Sequence, residues 1–142
     1  MKMFYKIFLV LILMLVIKIP GYSATWVHYA SNRYLDIDSL KIQNGLVYYW
    51  HKVYNDGRFG KNVYYSLEYA CANIEKRQLK VIRILDYNRT LKKIDEYSGS
   101  NVFFTVPSRT VGDNLIELIK GYLNGTFKKE DFKEIEIYLN KK

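Results

Sequence analysis

Few side chains in this 142-residue chain are suited to chemistry, and they do not converge in sequence. The two histidines, His28 and His51, each fall in a run that reads as a β-strand. On neighbouring strands they could share a metal ion, but no cysteine or carboxylate stands at ligand spacing beside either. A strand imidazole half-buried among tyrosines is the simpler reading. Asp36 and Asp38 begin like a calcium loop, yet the later acidic positions and the central glycine of such a loop are missing. A local turn closed by side-chain to backbone hydrogen bonds fits Asp36-Ile37-Asp38-Ser39 better. Cys71 is the only cysteine, and alternation puts it on the apolar side of its run with Tyr65, Leu67 and Tyr69. A thiol there behaves as a small buried hydrophobe, whereas a reactive thiolate needs an exposed, electropositive setting. There is no Gly-x-Ser-x-Gly elbow, phosphate loop or His-Glu-x-x-His. The sequence therefore predicts no catalytic, metal or cofactor site, and a protein that binds or supports rather than turns over a substrate.

What the chain has in abundance is tyrosine. Fourteen Tyr exceed what a core of this size absorbs, because each hydroxyl needs a partner or water. Tyrosine gives large contact area at low entropic cost and is enriched at interfaces. The candidate binding residues are Tyr48, Trp50, Lys52 and Tyr54, which share one face of the run Leu46–Tyr54, with Arg58 in the connector that follows. Trp26, Asp36, Asp38 and Cys71 are candidates for structural roles.

The element that must position these residues is Leu46–Tyr54 itself, nine strong strand formers that follow an Asn44-Gly45 turn. Both of its faces carry apolar groups, which predicts a central strand of an antiparallel sheet, one face covered by a helix and the other by a partner. Trp26–Ala30 reads as a first, edge strand and Tyr34–Asp36 as the lead-in to the hairpin. Lys61–Ala72 and Gln78–Tyr87 read as two more strands, paired through the short link Asn73–Arg77. Thr90–Tyr97 suits an exposed edge, and Val102–Val106 is a short apolar stretch before Pro107. A helix starts at Thr110, with Asp113 completing a capping box, and ends at Asn124-Gly125. Val111, Leu115, Leu118, Ile119 and Tyr122 form its apolar stripe. Phe132, Ile135 and Leu139 fit a helix in the tail, 126–142, while Ile135, Ile137 and Leu139 fit a strand; strong helix formers in its first half favour the helix. The fold class is α+β, a single antiparallel sheet of about six strands with a C-terminal helix packed on one face.

The first 23 residues read as a signal peptide. Lys2 and Lys6 precede an unbroken apolar run, Ile7–Ile17, and Lys18, Pro20 and Gly21 break it before a cut after Ser23 or Ala24. The run is shorter than the roughly 20 apolar residues a spanning helix needs, so cleavage leaves no membrane insertion. An uncleaved anchor is the alternative. No cysteine follows the run, which argues against a lipid anchor. Removing 1–23 takes away three lysines and no acid, so the formal net charge falls from +8 to +5 over one domain, 24–125, and its tail. Such a surface approaches anionic partners, and export argues against nucleic acid among them. Maintaining solubility would suffice to explain the charge.

The order of these features resembles the surface-adhesin protein E-like family of small exported bacterial proteins. The matching pieces are Trp26, Tyr34-Leu35-Asp36-Ile37-Asp38-Ser39-Leu40, and Asn44-Gly45 leading to Trp50. Ser66 before Cys71, then Arg83 in Ile82-Arg83-Ile84-Leu85, and Pro107 followed by Thr110-Val111-Gly112 complete the series. The resemblance covers about residues 25 to 120. It implies a curved sheet of about six strands backed by a helix and a place in the periplasm or at the cell surface. It also implies an adhesin that binds host extracellular-matrix proteins or an envelope component and that forms homodimers. The family usually carries a second cysteine at the end of the helix, bonded to the one that Cys71 matches; here that position corresponds to Lys120. Loss of such a crosslink typically costs about 2–5 kcal/mol. Two functions remain open at this point: a surface-exposed binding protein, and a periplasmic structural or inhibitory module with no host partner.

Overall fold

The computed structural model describes residues 24–131. The leader at 1–23 lies outside the described residues, as does the tail beyond a helical turn that opens at residues 129–131. Eight antiparallel strands form one sheet, and a helix packs on one face of it. The strands are β1 (Trp26–Ala30), β2 (Arg33–Asp36), β3 (Lys41–Gln43), β4 (Leu46–Tyr54), β5 (Tyr65–Asn73), β6 (Gln78–Tyr87), β7 (Lys93–Ser98) and β8 (Phe104–Thr105); the helix is α1 (Val111–Leu123). The main path is β1-β2-β4-β5-β6-β7, the six strands expected. Two short strands add to it, β3 beside β4 and β8 beside β6.

Asn44 and Gly45 both hold positive φ, 52° and 74°, the pairing a two-residue hairpin turn requires, and they join Gln43 to Leu46. β4 then pairs with β5 from Val47↔Ala72 to Tyr54↔Tyr65, and its other edge is shared by β2 and β3. It is therefore a central strand, and every second residue along it is buried. The sequence read β6 as one uninterrupted alternation. The structure breaks it with a bulge: Ala70 faces Val81 and Tyr69 faces Arg83, so Ile82 is the extra residue. Leu79 and Val81 thus stay on the helix side while Arg83 and Leu85 move to the other.

The core lies between the sheet and α1. Val27, Leu35, Val47, Tyr49, Ala70, Ala72 and Leu79 cluster with Leu115, Ile116 and Ile119, and α1 lies alongside β1. Thr110 Oγ1 accepts from the Asp113 amide at 3.3 Å, and Asp113 Oδ2 accepts from the Arg109 amide at 2.8 Å, a reciprocal cap. At the other end a Cβ on Gly121 would come within 2.4 Å of the Phe127 ring, so the chain folds back over the helix only because this residue is glycine. Arg77 in the β5–β6 turn reaches the helix as well, pairing with Asp113 and, at 2.9 Å, with Glu117.

One position of the expected stripe is corrected. Val111 is 44% exposed and Ile116 is fully buried in its stead. Val111 borders a cavity, while its neighbour Gly112 packs against Leu79 and Val106. Replacing Ile116 with Ala should cost about 2–5 kcal/mol in urea denaturation, and Val111→Ala less than about 0.5 kcal/mol. Equal losses at the two positions would contradict this placement of the helix.

Candidate functional site

Because side chains alternate along a strand, β4 sends Tyr48, Trp50, Lys52 and Tyr54 to the face away from α1. The register adds Tyr65, Leu67, Tyr69 and Cys71 from β5, Tyr87 from β6 and Tyr34 from β2. The rings pack against one another, some stacked and some tilted or edge-on. Trp50 and Tyr48 lie 5.1 and 6.1 Å from Tyr69, and Tyr65 stacks on Tyr87 at 4.9 Å with 10° between planes. Tyr54 touches Tyr34, Tyr64 and Tyr65 at 5.4–5.8 Å. Lys52 Nζ stands 4.2 Å over the Trp26 ring and 5.2 Å over Tyr65, which places a cation among π-faces. Burial against neighbouring rings, with nearby phenols adding to it, raises the Tyr54, Tyr65 and Tyr69 hydroxyls, so they are neutral donors at physiological pH.

Four of the five residues singled out from sequence, Tyr48, Trp50, Lys52 and Tyr54, are therefore neighbours on one surface. Arg58 is elsewhere: it pairs with Asp56 at 2.6 Å in the loop after β4, beside a cavity on the α1 side. Trp26 forms the floor under Lys52. Asp36 Oδ1 accepts from the Asp38 amide at 3.1 Å, and Ser39 Oγ donates to the Asp36 carbonyl at 2.7 Å while accepting the Trp50 amide at 2.8 Å. The turn is thereby tied to β4. Burial works to raise the Asp38 carboxyl, but hydrogen bonds from Lys129 and Thr25, at 2.7 and 2.6 Å, hold it below its usual value.

Cys71 is fully buried, and it lies beneath Tyr48 on the aromatic side of the sheet. Burial pushes its thiol up, more than Lys80 and the Tyr48 hydrogen bond pull it down. It points away from α1, so Cys71 and Lys120 do not face one another and the crosslink suggested by the family resemblance has no geometry here.

The two histidines point to opposite faces with β2 between their strands, which excludes a shared metal ion. His28 is exposed and tilts on Tyr34 at 5.1 Å. His51 is buried, and on the α1 side it completes a polar chain that sequence reading missed. Tyr29 Oη lies 2.9 Å from Nδ1 of His51, and Nε2 lies 2.7 Å from Glu68 Oε2, at an angle too bent for an aligned hydrogen bond. Burial works to raise the Glu68 carboxyl, but His51 and the charge of Arg33 prevail and hold it low. Burial also pushes the Tyr29 phenol far up. Tyr29, Arg33 and Glu68 come from three different strands, and only the pairing of His51 with Leu35 and Glu68 assembles them.

The arrangement defines a class: an α+β protein whose antiparallel sheet is backed by one helix on one side and carries an aromatic surface on the other. Within that class it is similar to solved structures of protein E from Haemophilus influenzae, the neighbours that the resemblance in the sequence pointed to. One matches with a TM-score of 0.58 at 14% identity, covering 84% of this chain and 95% of that one. A second crystal form gives a TM-score of 0.54 at 15% identity, over 69% and 87%. Likeness at this identity is a likeness of fold. No protein-family model matches the chain, and no curated protein does.

Two outcomes follow from these environments. The Cys71 thiol should react with Ellman's reagent only after denaturation; rapid labelling of the folded protein would show that it is accessible. Glu68 is held below its ordinary value near 4.5, so the stability it contributes is present above that pH and lost as the pH falls through the lowered value. Glu68→Gln should cost about 1–3 kcal/mol at neutral pH, and the gap to the native protein should close in acid; a pH-independent gap would contradict a stabilising ionised Glu68.

Proposed function

We propose that the protein is an exported, adhesin-like binding protein of the bacterial envelope or surface, and not an enzyme. On this reading it holds a macromolecule, a host matrix protein or an envelope component, against the aromatic face of its sheet. The observation that carries the reading is the set Tyr48, Trp50, Lys52 and Tyr54 with Tyr65 and Tyr69, rings and a cation gathered on the face of the sheet opposite α1. Interfaces are enriched in tyrosine and tryptophan because these residues bury large area with few rotamers to freeze, and they dominate the energies of such contacts. The formal charge of +5 left after the leader is removed favours an anionic surface as target. The leader-like start of the sequence and the likeness to protein E support export. Among the described residues no helix is long and apolar enough to cross a membrane.

The test is capture of matrix proteins and envelope extracts on the immobilised mature chain, paired with protease shaving of intact cells. Trp50→Ala and Tyr54→Ala should each weaken capture by about tenfold or more while the fold survives, and shaving should remove the protein together with surface controls. Capture that is indifferent to both substitutions would refute the aromatic face as the binding surface. Survival of the protein while the controls are lost would refute surface adhesion.

A further inference from the structure

The α1 side of the sheet, opposite the aromatic face, holds a cavity of about 540 Å³ between the first turn of the helix, β8 and strands β2, β4 and β5. Its lining from the strands is Arg33 of β2 with Tyr49, His51 and Glu68 from the middles of β4 and β5. The volume is within the range of small-molecule sites, roughly 300–1,000 Å³. The cavity's two sides differ in chemistry. Phe104 and Val111 stand on one side, 51% and 44% exposed, unusual for large apolar residues that border a hollow, and Leu115 backs them from within the core. On the other side is the polar chain. Tyr29 Oη donates to Nδ1 of His51, so the ring proton sits on Nε2 toward Glu68, a tautomer assigned from the bonding pattern. Arg33 in turn acts on the Tyr29 oxygen and on Glu68.

This order leaves the cavity asymmetric toward ligands. The acids that line it are already engaged, Glu68 with His51 and Asp56 with Arg58. Arg33 has five N–H donors in a planar fork and can serve the Tyr29 oxygen with one of them. A carboxylate matches the rest of that fork, and an apolar body matches the exposed residues on the far side. We propose that the cavity is a binding site for a small amphiphilic carboxylate, a medium-chain or aromatic acid, with its head on Arg33 and its body against Phe104, Val111 and Leu115. The site is separate from the aromatic face and does not depend on the function assigned to it.

The test is calorimetric titration of the full mature chain with decanoate, and with decyltrimethylammonium as a cation carrying the same tail. Decanoate should bind saturably at one site and the cation should not. Arg33→Met should weaken decanoate binding at least about tenfold, the loss expected for a charge-assisted hydrogen bond. Phe104→Glu, at an exposed position that folding tolerates, should weaken it comparably, whereas Trp50→Ala on the opposite face should leave it unchanged. Equal binding of both amphiphiles, or decanoate binding that survives Phe104→Glu, overturns the proposal. Should Arg33→Met fail to fold, Phe104→Glu and the cation decide the matter alone.

Discussion

The pleat of β4 is the constraint on which everything else in the molecule rests. With hydrogen-bonded neighbours along both edges, the strand has no free edge and only two places for its side chains. Val47, Tyr49, His51 and Val53 are buried; Tyr48, Trp50, Lys52 and Tyr54 are half-buried on the other side. A slip of one residue would exchange the two sets, driving Lys52 into the core and Val53 into water. Local bonds oppose that slip. The Asn44-Gly45 turn sets where β4 starts, the Ser39 hydroxyl holds the Trp50 amide, and Asn32 Nδ2 donates to the Tyr54 carbonyl at 2.6 Å. Each lies at a different point along the strand, so the register is fixed at its beginning, middle and end.

From that register the two faces acquire different chemistry. The helix side is largely aliphatic, and it tolerates the chain Tyr29–His51–Glu68 with Arg33 and the buried pair Ser66–Asp86 because every buried charge in it has a partner of opposite sign or a hydrogen bond. The aromatic side has no such buried charge pair. Its rings shield one another, its phenols are neutral, and its Lys52 sits over π-faces. Such a surface offers area and cation–π attraction rather than a shaped pocket, and on the reading proposed above it meets a macromolecule. The cavity on the other side, hemmed by the helix and β8, suits a small molecule. The sheet separates the two.

Much of this was legible in the sequence because it depends on local chemistry. Asn-Gly before an aromatic run, Thr110 three residues ahead of Asp113, and Asn124-Gly125 after a helical stripe each specify backbone geometry by themselves, and each is found in place. Alternation likewise gathered Tyr48, Trp50, Lys52 and Tyr54. What escaped is what depends on contacts distant in the chain. The bulge at Ile82 has no signature residue, so β6 reads as an unbroken strand. Val111 and Ile116 are equally apolar, and only the position of the helix over the sheet decides which is buried. Arg58 is one turn from β4 in sequence, yet its loop carries it to the other side of the molecule. Tyr29, Arg33 and Glu68 reach His51 only through strand pairing, and a single sequence carries no trace of that.

The placement of β4 is tested most directly by native-state hydrogen exchange of the mature chain. The account predicts that β4 and β5 amides exchange slowest, near the rate set by global unfolding, because both strands are paired on each edge. It predicts that β7, an edge strand exposed along its whole length, exchanges by local opening. Exchange of the Val47–Val53 amides as fast as those of Lys93–Ser98 would contradict a central β4, and with it the division of the molecule into an aromatic face and a helix face.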